Sequence, residues 1–209
     1  EKSIFKDAAI GLDIWAEYVR SFGIGTDLHT DYPGGVKGNV PDRQYYDEEF
    51  PNRSNPYGKH RWAFSTIQSI SIGQGEVLIT PMEMANLAAI MANRGHFYYP
   101  HFVKSIEGGN VPEIYLKKNK TMVDPEYFEP VIDGMWRVVH EPGGTARRAR
   151  IDSIAVCGKT GTVENSRGRD HSVFISFAKP PSPVPKMIPI FGELLIFSFK
   201  KSEDSLIFF

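Results

Sequence analysis

The sequence Cys157-Gly158-Lys159-Thr160-Gly161-Thr162 lies between two runs that have the composition of β-strands. Residues 152–156 precede it, and residues 171–177 follow it beyond a polar turn at 164–170. The sequence therefore predicts a hairpin whose first strand carries a Lys-Thr-Gly triplet. Such a strand places an ammonium, a hydroxyl and a glycine side by side, and the glycine lets another backbone approach closely. This combination suits a peptide ligand that ends in a carboxylate.

The same residues allow two other interpretations, a phosphate-binding loop and a plain exposed hairpin. Gly158-Lys159-Thr160 matches the end of the G-x-x-x-x-G-K-[ST] pattern, but the first glycine of that pattern falls on Ser153. A phosphate loop also opens directly into a helix, whereas this chain turns polar after the triplet. A plain hairpin with Lys159 on its edge strand is compatible with the triplet taken alone. The choice therefore depends on the rest of the chain.

A second segment, residues 71–85, combines a glycine-containing loop with a strongly marked helix start. The loop is Gly73-Gln74-Gly75. Thr80 is the expected N-cap, Pro81 is the first helical residue, and Glu83 completes a capping box with Thr80. The apolar residues that follow at helical spacing, before Asn93-Arg94-Gly95, are Met84, Leu87, Ala88 and Met91.

The order of these elements resembles the class B penicillin-binding proteins, and in particular the elongation-type penicillin-binding protein 2 group. The matching elements are the Gly-Gln-Gly loop, the Thr-Pro helix start, the Ala-Asn-Arg-Gly helix end, a Gly-Thr-Ala element at 144–146 and the Lys-Thr-Gly-Thr strand. The resemblance runs from Asp7 to Ala178. It implies an α+β fold of the penicillin-binding protein and serine β-lactamase type, a mainly antiparallel sheet flanked by helices, incomplete in this chain. Residues 1–178 are then the C-terminal part of a transpeptidase domain, and the implied reaction is D,D-transpeptidation in peptidoglycan cross-linking during cell elongation.

The resemblance also implies roles for the residues of the strand. Lys159 would supply positive charge and assist proton movement, and the hydroxyls of Thr160 and Thr162 would bind the terminal carboxylate of a stem peptide or a β-lactam. The backbone N–H of Thr162 would form half of the oxyanion hole, and Gly161 would let the substrate lie antiparallel along the strand. The catalytic roles thus fall on Lys159 and Thr162. No metal or cofactor is expected, and the residues expected to support the site are Gly73, Gln74 and Gly75.

A serine transpeptidase also needs a Ser-x-x-Lys nucleophile motif and a Ser-x-Asn motif. Ser3-Ile4-Phe5-Lys6 matches the first by letter, but no Ser-x-Asn occurs in the sequence. The helix that follows Lys6 also resembles the helix that lies after Ser-x-Asn in the family. We therefore interpret the match at Ser3 as a coincidence and the chain as a fragment that is inactive alone. The alternative is a non-catalytic interaction or structural module that retains part of the fold.

Composition restricts the class of partner and the compartment. The 209 residues are 41% hydrophobic and 23% charged, which is ordinary for a globular domain, and the net charge of −1 argues against a nucleic-acid partner. The sequence has no signal peptide and no apolar run long enough to span a membrane. The resemblance implies the periplasmic face of the inner membrane, so an anchor would have to lie upstream of Glu1. It implies as partners the cell-wall elongation machinery and the missing N-terminal part of the same domain.

Cys157 is the one cysteine, so an internal disulfide is excluded. It lies in an apolar run directly before Gly158. We expect a buried apolar residue rather than a nucleophile, because Lys159 is the only evident cationic neighbour that could lower its pKa.

Apolar spacing predicts the remaining elements. A helix is expected over residues 5–22, a long surface excursion over 26–57 and a strand over 98–106. A further helix is expected to start with Asp124 as its cap and Pro125 as its first residue. Its predicted buried face is Phe128, Val131, Ile132, Met135 and Val139.

The likeness to the family stops at Ala178. The proline-rich stretch 180–189 cannot supply a paired central strand. Residues 179–209 are therefore predicted to be an aberrant proline-rich and apolar tail, out of register with the family as after a frameshift, which sequencing of the coding DNA would test. Only two of the central strands would remain. A sheet without its closing strands leaves exposed edges, which predicts poor solubility.

Overall fold

The computed structural model describes residues 4–49, 64–163, 170–178, 197–199 and 207–208. The chain divides into two compact units. The first unit holds residues up to 83 together with 99–111, and the second unit holds residues 84–98 together with those from 112 onward.

The first unit is built on three helices, α1 (Ile4–Ser21), α2 (Arg43–Glu49) and α3 (Phe64–Ser71). α1 confirms the helix predicted over residues 5–22. It is followed by Gly23 at φ 80° and Gly25 at φ 69°, left-handed values that end a helix and that glycine adopts without strain. The core of this unit contains one buried residue from each helix: Leu12, Tyr46 and Ile70.

The segment 26–57, predicted to be a surface excursion, contributes to this core, so that prediction is wrong in part. α2 starts where the Oδ1 atom of Asp42 accepts a backbone N–H of the first turn at 2.9 Å. Tyr46 on α2 is only 2% exposed. A helix of seven residues that buries one side chain gives no periodic signal. The other buried apolar residues of the segment include Leu28 and Val40, and residues 50–57 lie outside the described residues.

α4 (Pro81–Ala92) begins in the first unit with the capping box that the sequence predicts. The Oε2 atom of Glu83 accepts the N–H of Thr80 at 2.7 Å, and the Oγ1 atom of Thr80 accepts the N–H of Glu83 at 3.2 Å. Glu83 is 1% exposed. Its Oε1 atom also accepts the N–H groups of Gly25 at 2.8 Å and Gly38 at 2.9 Å. One buried carboxylate therefore joins three separate backbone segments.

α4 continues into the second unit, where its buried side is wider than the predicted face. Ala88 and Met91 are buried as predicted, whereas Met84 and Leu87 are only half-buried. Ile90, which the helical spacing did not select, is fully buried. The helix is apolar on most sides, so the periodic pattern marks its existence better than its orientation.

The strand predicted over 98–106 does not form. In the second unit, β1 is limited to His96–Phe97 and pairs antiparallel with β2 (Asn119–Lys120). In the first unit, the carboxylate of Asp31 accepts the N–H of Phe102 at 2.9 Å and of Val103 at 2.9 Å. A side chain thus takes the donors that a strand ladder would use, and Pro100 has none. The bond from Phe102 N–H holds the pKa of the Asp31 carboxyl below its usual range.

The second unit also contains α5 (Glu113–Leu116), a 3-10 turn at Pro125–Tyr127 and α6 (Phe128–His140). Pro125 begins a 3-10 turn with Asp124 in the position before it, but Asp124 makes no side-chain cap hydrogen bond. The predicted helix start is therefore corrected, because α6 itself begins at Phe128. Four of the five predicted core residues are buried: Phe128, Ile132, Met135 and Val139. Val131 is 51% exposed instead, because its position lies roughly 60–70° around the helix from the centre of that face.

The sheet of the second unit has the order β3–β4–β5–β6, and all its pairs are antiparallel. Its strands are β3 (Val156–Val163), β4 (His171–Ala178), β5 (Phe197–Phe199) and β6 (Ile207–Phe208). The predicted hairpin is confirmed, with Lys159 opposite Ile175. The expectation of two strands is corrected, because short segments of the C-terminal region pair beyond β4. The proline-rich stretch 180–189 lies outside the described residues.

α6 packs against the hairpin of β3 and β4. The shared core consists of Val139, Ala146, Val156 and Phe174. His140, in the last turn of α6, places its Nε2 atom 3.2 Å from the carbonyl oxygen of Val156. The start of β3 is therefore attached to α6 by apolar packing and by a polar contact. Within the described part of the chain, no helix has both the length and the hydropathy needed to cross a membrane.

Candidate functional site

β3 forms one edge of the described sheet and carries the predicted substrate-binding residues. Its first part, Val156 to Gly158, is buried, and its residues from Lys159 onward are half-buried or exposed. The strand thus emerges from the core at the Lys-Thr-Gly triplet. An edge strand has one row of backbone N–H and C=O groups that no neighbouring strand pairs, so an extended peptide can bind there.

The two glycines of this strand have different surroundings. A Cβ atom on Gly158 would lie 2.5 Å from Cε2 of Phe174 and 3.0 Å from the carbonyl oxygen of Ile175. Gly158 is therefore required by the packing of the aromatic ring on β4. A Cβ atom on Gly161 would meet no described atom within 4 Å. Glycine weakens a strand, yet no packing contact among the described residues requires a glycine at position 161.

Lys159, Thr160 and Thr162 place a positive charge and two hydroxyls on the exposed part of β3. The Nζ atom of Lys159 donates a hydrogen bond to the carbonyl oxygen of Thr160 at 2.5 Å. Thr160 and Thr162 are two residues apart, so their side chains lie on the same face of the strand, and Lys159 lies on the other. Thr162 is exposed. These residues can bind an anion at the edge of the sheet.

Thr145, in the Gly-Thr-Ala element at 144–146, contacts the candidate site, which the sequence did not predict. Its Oγ1 atom lies 2.9 Å from the Oγ1 atom of Thr160. The chain turns so tightly after α6 that a Cβ atom on Gly144 would collide with the backbone carbonyl of Val138. Ala146 then donates its N–H to the same carbonyl at 3.1 Å. The Gly-Gly-Thr sequence indicates a turn, but the contact with Thr160 depends on how that turn packs against β3.

The Gly-Gln-Gly loop is a helix-terminating turn of the first unit. Gly73 has φ 75° and Gly75 has φ 68°, and the N–H of Gln74 bonds the carbonyl of Ser69 at the end of α3 at 3.1 Å. The next residue, Glu76, accepts a hydrogen bond from the hydroxyl of Tyr46 at 2.8 Å. Burial, together with the Glu76 carboxylate, raises the pKa of Tyr46.

The predicted site residues are divided between the two units. The four residues Lys159–Thr162 lie together in the second unit, and Gly73, Gln74 and Gly75 lie in the first. The supporting role of the loop stays a prediction.

Cys157 and Ser3 are the two remaining candidate residues. Cys157 is buried with no exposed surface, which confirms its assignment as a buried residue. Ser3 lies outside the described residues, and residues 4–6 begin α1. The described residues include no group of three or more His, Cys, Asp or Glu side chains that could hold a metal ion.

Known proteins are similar to this chain in sequence and fold. The transpeptidase domain of penicillin-binding proteins matches residues 5–186. The peptidoglycan D,D-transpeptidase MrdA of Haemophilus influenzae is 28% identical over 200 residues, which is 86% of this chain and 29% of that protein. MrdA of Acinetobacter baumannii is 28% identical over 83% of this chain and 27% of its own length. The chain thus spans less than a third of the length of these relatives.

Solved structures share this fold. Pseudomonas aeruginosa PBP2 in complex with WCK 5153 superposes with a TM-score of 0.68 and 30% identity, over 83% of this chain and 36% of that one. Helicobacter pylori PBP2 in complex with MreC superposes with a TM-score of 0.65 and 23% identity, over 80% of this chain and 29% of that one. The predicted fold class and resemblance are confirmed. The chain belongs to the penicillin-binding protein transpeptidase family.

Proposed function

We propose that this chain is the substrate-binding part of a peptidoglycan D,D-transpeptidase of the elongation type, with β3 as the strand that receives the substrate. The observation that carries the proposal is the exposed end of β3, where Lys159, Thr160 and Thr162 surround Gly161, a position at which an added Cβ atom would meet no described atom within 4 Å. The similarity to MrdA and PBP2 proteins supports the same reaction. The donor is a stem peptide that ends in D-Ala-D-Ala, and a β-lactam is its mimic.

The substrate binds as an added antiparallel strand along β3. Thr160 and Thr162 donate hydroxyl hydrogen bonds to its terminal carboxylate. The side chain of Lys159 starts on the other face of the strand, but its Nζ atom lies at the carbonyl oxygen of Thr160, so the ammonium adds positive charge at the same edge. The absence of a side chain at Gly161 lets the substrate backbone approach. The contact between Thr145 and Thr160 holds the Thr160 side chain in place. When Thr145 is the donor in this contact, the hydroxyl proton of Thr160 is free to form a hydrogen bond with the substrate carboxylate.

The chemical step needs a serine nucleophile from a Ser-x-x-Lys motif. The serine attacks the carbonyl between the two D-alanines, forms an ester and releases the terminal D-alanine. The N–H of Thr162 donates to the developing oxyanion, and Lys159 assists proton movement near the serine. An oxyanion-hole donor contributes about 3 kcal/mol to such a step.

The proposal includes a cellular setting, which the relatives support. Helicobacter pylori PBP2 has been solved in complex with MreC, which supports the cell-wall elongation machinery as the partner of this protein. A peptidoglycan substrate places the domain at the periplasmic face of the inner membrane. A non-catalytic module that keeps the fold for binding is the alternative, and it differs in having no upstream nucleophile motif in the same reading frame.

Acylation by a fluorescent penicillin tests the proposal. We expect no labelling of this chain alone and covalent labelling of a protein that includes the upstream coding sequence, because the serine lies there. Ser3→Ala in the longer protein should leave the labelling unchanged. Labelling of this chain that is lost in Ser3→Ala would make Ser3 the nucleophile. No labelling of any of these proteins would favour the non-catalytic module.

Gly161→Ala separates substrate binding from folding. A methyl group at position 161 meets open space, so we expect the free energy of unfolding to stay the same or rise by about 0.5 kcal/mol. Binding of an N-acylated D-Ala-D-Ala peptide should weaken by about tenfold, or about 1.4 kcal/mol, because the methyl group lies where the peptide backbone approaches. Amide chemical shifts of β3 during a titration of this chain measure the affinity, and the C-terminally amidated peptide is the control ligand. Unchanged affinity in Gly161→Ala would place the substrate elsewhere.

A further inference from the structure

Thr145 lies on a turn that is held in position on both sides of it. Gly144 donates its N–H to the carbonyl oxygen of Glu141, directly after α6, at 3.1 Å. Ala146 donates its N–H to the carbonyl oxygen of Val138 at 3.1 Å, and it is 7% exposed in the core that α6 shares with the hairpin. A side chain carried between two such residues is held in place before any ligand binds.

The contact between Thr145 and Thr160 joins two hydroxyls that can each donate or accept a hydrogen bond. Their Oγ1 atoms are 2.9 Å apart. Each hydroxyl has one proton and two lone pairs, so at this distance one of them donates to the other. Thr160 is half-buried and Thr145 is exposed. In the free chain either direction satisfies the contact, so the ligand decides which hydroxyl is the donor.

A carboxylate bound at β3 fixes the direction of this contact. An ionised carboxylate only accepts hydrogen bonds, so it takes the proton of Thr160, and Thr145 then donates to the Thr160 oxygen. The two hydroxyls form a chain in which each bond polarises the next, and a bond to a charged acceptor is about twice as strong as a neutral one. A terminal amide carries no charge and offers N–H donors of its own, so it gains less from the chain.

We infer that Thr145 is a positioning residue that makes this site prefer a carboxylate to an amide at the end of the bound peptide. Its hydroxyl acts on the ligand through Thr160, as a proton donor to the Thr160 oxygen. That β3 binds the end of a peptide rests on the proposed function, whereas the preference set by Thr145 goes beyond it.

The ratio of two affinities measures this preference without relying on activity. The ligands are an N-acylated D-Ala-D-Ala peptide and the same peptide with a C-terminal amide, and the amide chemical shifts of β3 in this chain report the binding of each. Thr145→Val removes the hydroxyl and keeps the branched shape of the side chain, and Thr145→Ser keeps the hydroxyl. Because Thr145 is exposed, both variants should keep the fold, which the chemical shifts of α6 check.

We expect the unaltered chain to bind the acid more tightly than the amide. In Thr145→Val the ratio of the two affinities should fall by about fivefold, the effect of one lost hydrogen bond, and most of the change should be in the affinity for the acid. Thr145→Ser should keep the ratio within about twofold, because a serine hydroxyl can donate in the same way. Thr145→Ala removes the same hydroxyl with a smaller side chain and should repeat the result for Thr145→Val.

A double-mutant cycle separates positioning from direct contact with the ligand. Thr160→Val alone should lower the ratio. Thr145→Val/Thr160→Val should lower it no further, because Thr145 acts through the hydroxyl that Thr160→Val removes. Additive losses would show that Thr145 contacts the ligand itself, and they would overturn the positioning role.

An unchanged ratio in Thr145→Val would overturn the inference, as would an equal fall in Thr145→Ser, since the shape of the turn rather than its hydroxyl would then matter. An unaltered chain that binds neither peptide, or that binds both equally, would reject the inference together with the substrate-binding role of β3. The penicillin test is independent. A ratio that falls in Thr145→Val without penicillin labelling of the longer protein would support the inference and reject only the proposed reaction.

Discussion

Glu83→Ala is expected to lower the free energy of unfolding by about 3–5 kcal/mol, a large share of the stability of a domain. The Glu83 side chain is 1% exposed and accepts backbone N–H groups from Gly25, Gly38 and Thr80. An alanine leaves three part-buried donors without an acceptor. Each buried donor without a partner costs about 1–3 kcal/mol.

The substitutions Glu83→Gln and Glu17→Ala sharpen this test. A glutamine oxygen can still accept from Gly25 and Gly38, but its amide group then faces the N–H of Thr80 as a second donor, so we expect a loss of about 1–2 kcal/mol. Glu17 is an exposed residue of α1, and its replacement by alanine should change the stability by less than about 0.5 kcal/mol. Urea unfolding followed by circular dichroism measures all three variants. Equal effects of Glu83→Ala and Glu17→Ala would show that the carboxylate does not hold these segments together.

Glu83 also shows which part of the fold local sequence signals can predict. The capping box with Thr80 lies within four residues of sequence and was predicted correctly, as were α1, α6 and the hairpin of β3 and β4. The bonds from Glu83 to Gly25 and Gly38 span 58 and 45 residues. No periodicity or cap rule connects such distant positions, so only the folded structure shows them.

The failed strand prediction at 98–106 has the same cause. The sequence pattern at 98–106 favours a strand, but the distant carboxylate of Asp31 binds its backbone donors. In the candidate site, the predicted residues Lys159, Thr160, Gly161 and Thr162 do lie together on β3, because a strand keeps neighbours in sequence near in space. The contact of Thr145 with Thr160 crosses from a turn to a strand, and the sequence gives no measure of that distance.

Gly158→Ala should destabilise the second unit by about 2–3 kcal/mol, the cost of overpacking a closely packed position. The new methyl group would lie 2.5 Å from Cε2 of Phe174 and 3.0 Å from the carbonyl oxygen of Ile175. Phe174 is 2% exposed and belongs to the core with Val139. The ring therefore cannot move aside without disturbing α6.

A double-mutant cycle identifies Phe174 as the cause of that effect. Phe174→Leu alone should cost about 1–2 kcal/mol, because a smaller side chain leaves a cavity. In Gly158→Ala/Phe174→Leu, the leucine makes room for the methyl group, so the combined loss should be smaller than the sum of the single losses by at least about 1 kcal/mol. Gly161→Ala, on the same strand but in open space, is the control and should not destabilise the protein. Additive losses in the cycle would show that the ring of Phe174 does not require a glycine at position 158. The carbonyl oxygen of Ile175 would then be the atom that does.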